Sequence, residues 1–164
     1  MLRGHLAWPL FVVAAAAAAI AGGWLGGPGL VGVSFTAAAA LCAVGVLHLL
    51  WAVGLRAGMD AALPTDDNGT LLLRPPSWLT AMVAFALLTT ATAFAALASG
   101  VELFGLHAVV IAATVVFGVR AAGDGRYVGF TKTHRTSRFG RLDDLLYTPL
   151  SVLFALGGTA ALLV

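Results

Sequence analysis

Charge is what this chain has least of. Only 10% of its 164 residues are Asp, Glu, Lys or Arg, and 60% are hydrophobic. Soluble domains carry roughly 25% charged residues, so this surface cannot be held in water and a soluble globular domain is excluded. Polar low-complexity sequence is missing, and the 20 glycines follow no collagen period, which excludes a disordered chain and a fibre. The single cysteine, Cys42, lies in an apolar run, so no intramolecular disulfide can form. The four histidines are far apart, with no H-x-x-x-H or Glu-x-x-H pair, so neither a metal site nor a cofactor is expected. Alternating strand patterns are absent as well. In hydrocarbon every backbone N–H and C=O must be bonded internally, so the remaining class is a helical integral membrane protein.

What is present is a set of long apolar runs. A helix needs about 20 apolar residues to cross a hydrocarbon core of about 30 Å. Five stretches qualify: about 6–25, 33–53, 78–97, 103–119 and 145–164. The expectation is an all-α, polytopic bundle of five transmembrane helices forming one domain over residues 1–164, with charged loops at 54–77 and 120–144. Gly26-Gly27-Pro28-Gly29 reads as a turn, and Ser77, after Pro75-Pro76, as an N-cap. Ser99-Gly100 makes a short hairpin, and Pro149 falls in the first turn of the fifth span, where a missing N–H costs nothing. The first run also has the look of a secretory signal, but its length and the early Trp8 and Pro9 favour a membrane anchor.

Sidedness follows from the cations. Five spans place Arg3, then Arg56 and Arg74, then Arg120, Arg126, Lys132, Arg135, Arg138 and Arg141 on one side, which accounts for all nine Lys and Arg. By the positive-inside rule that side is cytoplasmic, giving an N-in/C-out, multi-pass protein of the cell inner membrane. The same placement explains the pI near 9.2. The basic loops suit anionic membrane lipids, and nucleic-acid binding is not expected, because no solvated basic domain exists to do it. Trp8, Trp24, Trp51 and Trp78 sit at span ends, where indole rings anchor at headgroup level.

Helices in lipid associate through close packing of small residues. Gly22 and Gly26, Gly23 and Gly27, Ala84, Ala91, Ala95 and Ala96, and Gly157 and Gly158 supply them. Tight hairpins predict that consecutive helices are antiparallel neighbours. The first span has faces to spare, which leaves a homo-oligomer open.

Few residues within the spans carry chemistry. His48, one to two turns inside the basic end of the second span, shares a face with Gly45 and Trp51. An ionisable group there is costly and marks either a site or a bond to a partner helix. His107 is near an interface and reads as structural; Thr89, Thr90 and Thr92 read as packing residues bonded to their own helix or across to a neighbour, with a cavity lined by Thr89 and Thr92 as the alternative. In the 120–144 loop the spacing predicts that Asp124 pairs with Arg120 and Asp144 with Arg141, and that Asp143 and Asp144 sit at the N-terminus of the fifth helix. The plain reading is a charged connector. The sharper one is a polar pocket in which Arg120, Arg126 and Asp143 face His48, an Asp–His pair fit for proton transfer. The 66–69 stretch, Asp-Asp-Asn-Gly, reads as a turn in a loop covering the same opening.

Three ordered motifs carry a resemblance: Leu47-His48-Leu49-Leu50-Trp51-Ala52-Val53-Gly54, Gly123-Asp124-Gly125-Arg126-Tyr127-Val128-Gly129-Phe130, and Arg138-Phe139-Gly140-Arg141-Leu142-Asp143 followed by Tyr147-Thr148-Pro149-Leu150. The chain resembles an uncharacterised bacterial family of small membrane proteins, a domain of unknown function with four core helices, to which the first span is an addition. The resemblance implies the fold and draws attention to His48, Trp51, Arg126 and Asp143; it implies no activity.

Three functions fit these residues. In a membrane-embedded enzyme acting on a lipid or isoprenoid, His48 is the acid or base and Asp143 its orienter. Trp51, Arg120, Asp124, Arg126, Tyr127, Arg138 and Arg141 then bind the substrate and its anionic head. In a lipid-binding or transport protein the same residues bind without chemistry. In an accessory subunit they only fix helix register.

Overall fold

A computed structural model describes residues 26–65 and 71–164. The first span at 6–25, its tryptophans and glycines, and the 66–69 turn lie outside the described residues. Within them the chain is all-helical. Five helices follow in order: α1 (Gly27–Ala52), α2 (Met59–Ala62), α3 (Ser77–Ala98), α4 (Leu106–Ala122) and α5 (Arg138–Leu163). Helix α5 is composite, with an α-turn at Arg138–Leu142, a π-turn at Asp143–Tyr147 and α-helix from Thr148 to Leu163.

Helices α1, α3 and α5, with 26, 22 and 26 residues, are long and apolar enough to cross a membrane. Helix α4 is apolar but has 17 residues, about 25 Å at 1.5 Å per residue, the lower end of a spanning length. Of the five expected spans, the described residues thus hold three long ones and this shorter helix.

The helix ends differ from the sequence expectations for local reasons. Helix α1 starts six residues early because Pro28 occupies its first turn, where no N–H is needed. Pro76, not Ser77, is the N-cap of α3. Helix α4 starts late, after Gly105 turns the chain at φ +86°. Helix α5 starts seven residues early, at an N-cap where Ser137 Oγ accepts from Gly140 N at 2.9 Å. Asp143 and Asp144 therefore stand more than a turn inside α5 and not at its N-terminus. Pro149 explains the π-turn. Its ring would press on the carbonyl four residues back, so the preceding turn opens, and Thr148 N–H bonds to Asp143 O, five residues back.

Helix α1 packs mainly on α3 and α5, and α4 mainly on α5. Helices α3 and α4 are consecutive yet touch little, because seven residues and two positive-φ glycines separate them. Phe94, Leu41, Val110 and Ala37 form the buried centre, and Phe117 meets Phe154 edge-on at 4.9 Å. Small residues set the approach. A Cβ on Gly157 would collide with Ala37 of α1, and one on Gly158 with Thr114 of α4, so the glycine pair admits a helix on each side. Ser34 Oγ donates to Gly157 O at 3.1 Å across the first of these contacts. Thr90 and Thr92 bond to carbonyls of their own helix, as expected. The outward faces stay apolar: Trp78, Met82, Phe85, Val119 and Leu145 are all more than half exposed.

Gly157→Val is expected to lower stability in detergent by about 1–3 kcal/mol through overpacking. Gly118→Ala, where a Cβ meets nothing within 4 Å, should be neutral or stabilising. Thermal unfolding followed by circular dichroism checks both.

Candidate functional site

The polar residues gather at one end of the bundle, where α1 and α4 finish and α3 and α5 begin. Asp143, fully buried on α5, accepts four hydrogen bonds. Arg120 Nη2 of α4 donates to Oδ1; Gly129 N, Lys132 Nζ and Thr148 Oγ1 each donate to Oδ2 at 2.9 Å. Lys132, also buried, bridges from Asp143 to Asp144, which Arg135 Nη1 reaches at 2.7 Å. Three cations thus meet two carboxylates, leaving one net positive charge. Among the described residues Arg120 Nη1 is buried without a hydrogen-bond partner.

The 123–137 loop is folded to deliver Lys132 into this cluster. Gly123 (φ +100°) and Gly129 (φ +76°) touch backbone to backbone, and a Cβ on either would strike the other's strand of the loop. Asp124 Oδ1 accepts from the backbone N–H of Arg126, Tyr127 and Val128 at 2.7–3.0 Å, closing the turn between the glycines. Burial pushes the Asp124 carboxyl up, but these donors outweigh it and hold the group below its ordinary value. The Arg126 guanidinium lies 5.1 Å from the centre of the Tyr127 ring, and Tyr127 stacks near His134.

The expected helical pairs do not form. Asp124 bonds to backbone rather than Arg120, because α4 has ended before it. Asp144 takes Lys132 and Arg135 rather than Arg141, since the π-turn carries it off the face of Arg141. Arg138 and Arg141 are exposed and make no ion pair among the described residues. The structure brings Arg120 to Asp143 but does not bring His48 to either. His48 Nδ1 lies 2.8 Å from Val44 O, one turn back, and its ring is 4.9 Å from Trp51.

Trp51 leads to a part of this end that sequence reasoning missed. Its Nε1 donates to Ala57 O at 2.9 Å, folding the chain back as it leaves α1. The 54–77 segment is pinned by Tyr147 Oη, which donates to Ala61 O at 3.1 Å, and by pairing of Thr65 with Leu71. Between α1, α2 and the start of α3 this leaves an open cleft of about 390 Å³. Arg56, Asp60 and Arg74 supply its charge, while Trp51, Met59 and Leu71 are among its apolar walls. The three charged side chains make no ion pairs among the described residues. Arg56 and Arg74 entered the sequence reading only as markers of sidedness. Seventeen residues separate them, and no periodicity announces that they share a cleft.

Fold and site together define a helical bundle of membrane-spanning character, closed at one end by an ion-paired loop. A family model described as Protein of unknown function (DUF3995) matches residues 41–158, more than two thirds of the chain, and the chain belongs to that family. The match includes all three motifs, the ion cluster and the cleft. No curated protein and no solved structure matches the chain.

Asp143→Ala is expected to cost about 3–5 kcal/mol by stranding buried cations, whereas Arg126→Ala at the surface should change stability by under about 0.5 kcal/mol; chemical unfolding in micelles compares them. Asp124 sets a pH dependence. Because its folded value is lowered, its stabilisation is complete above about pH 3.9 and fades as pH falls through the lower folded value. The amide resonances of Arg126, Tyr127 and Val128 should shift together below that pH, and should lose this transition in Asp124→Asn.

Proposed function

We propose that this chain crosses the cytoplasmic membrane several times, basic end inward, and holds a phosphate-bearing lipid at that end without altering it chemically. The observation that carries this reading is the cleft of mixed polar and apolar lining in which Arg56 and Arg74 make no ion pair among the described residues. Its volume falls in the roughly 300–1,000 Å³ range of small-molecule sites. Guanidinium forks match phosphate oxygens, and apolar walls suit the first carbons of a lipid tail. Arg126, Arg138 and Arg141 add exposed cations at the same end, each worth about 1 kcal/mol of attraction to an anionic leaflet. Binding is favoured over acid–base turnover because Asp143 is already engaged by four donors and His48 by its own helix.

Mass spectrometry of the purified protein tests it. Wild type should carry phospholipid, the Arg56→Gln/Arg74→Gln double variant at least tenfold less, and His48→Ala an unchanged amount of the same intact lipid. A chemically converted lipid that disappears in His48→Ala would overturn the binding reading in favour of catalysis. Orientation is tested by Thr136→Cys in a Cys42→Ser background: an impermeant thiol reagent should label it only after the cells are opened.

A further inference from the structure

Resting on the lipid-binding reading, the charges of the cleft specify which head group it takes. Arg56 and Arg74 share the cleft with an acid, Asp60, in the first turn of α2. A carboxylate beside two guanidiniums ordinarily pairs with one of them, yet among the described residues Asp60 makes no ion pair or hydrogen bond. The cleft is therefore lined by two positive centres and a separate negative one, none of them ion-paired among the described residues. The half-buried Trp51 ring lines the same space, with its N–H already bound to Ala57 O. A purely anionic head group would meet the arginines but also be repelled by Asp60. A head group with phosphate and ammonium satisfies both signs, and an indole face adds attraction for the cation.

We infer that the cleft binds a zwitterionic aminophospholipid, with its phosphate on Arg56 and Arg74 and its primary ammonium on Asp60 beside Trp51. The primary amine matters, because a quaternary ammonium has no N–H to donate to the Asp60 carboxylate. The apolar part of the lining, with Trp51, Met59, Leu63 and Leu71, favours the lipid over free phosphoethanolamine as the occupant.

Native mass spectrometry of the full chain in detergent decides this, with chain-matched phosphatidylethanolamine, phosphatidylglycerol and phosphatidylcholine added in equal amounts. Wild type should carry phosphatidylethanolamine several-fold above the other two. Asp60→Asn should cut that adduct about tenfold and leave phosphatidylglycerol unchanged or raised, Asp60→Glu should keep the preference, and Arg74→Gln should lower all three. If phosphatidylglycerol or phosphatidylcholine equals phosphatidylethanolamine on wild type, or Asp60→Asn leaves the ratios alone, the head-group assignment falls while lipid binding stands. If wild type carries none of the three, both readings fall. Phosphoethanolamine alone should bind at least tenfold more weakly; equal binding would overturn the lipid as the occupant.

Discussion

The carboxylate of Asp143 is the constraint around which the basic end is built. Taking an ion out of water costs several kcal/mol, and only close opposite charge and full hydrogen bonding offset it. Four donors meet that requirement here, drawn from α4, the following loop and α5 itself. Each imposes a condition on the backbone. Gly129 N–H arrives only because that residue and Gly123 lack side chains where the loop crosses itself. Thr148 Oγ1 arrives only because the π-turn brings residues five apart onto one face, whereas an α-turn would leave them about 140° apart. Pro149, by opening that turn, is therefore part of the same construction.

The cations divide by environment. Arg120, Lys132 and Arg135 are joined to two aspartates and hold the loop to the helices. Arg56, Arg74, Arg126, Arg138 and Arg141 have no acid partner among the described residues and stand at the surface or in the cleft. Salt screens the second group over roughly a 10 Å Debye length and barely reaches the first. Fold integrity and any attraction to lipid head groups thus rest on different residues.

Much of the fold was legible in the sequence because hydrophobic length is a strong, local signal. The run at 78–97 falls within α3 and that at 33–53 ends one residue past α1, the helix ends differing by proline and capping chemistry. The start of α5 was hidden, since Arg138-Phe139-Gly140-Arg141 reads as polar loop until Ser137 is seen to cap it. The motifs pointed to the family, and the Asp143 within them is fully buried. Its partners were not legible. Pairing rules at i+3 and i+4 assume an unbroken α-helix, and both predicted pairs span a helix end or a π-turn. The cleft was invisible for a related reason: Arg56 and Arg74 meet through the fold of a loop, not through spacing.

The interior ion set also bears on α4 and α5 together. Neither Arg120 of α4 nor Asp143 of α5 is compensated until the other is in place, and Lys132 lies on the connection between them. The two helices therefore depend on one another for charge compensation, and the loop between them completes the set with Lys132. The carboxyl-terminal half is thus coupled through charge: without α5, Arg120 and Lys132 lose the carboxylates that hold them.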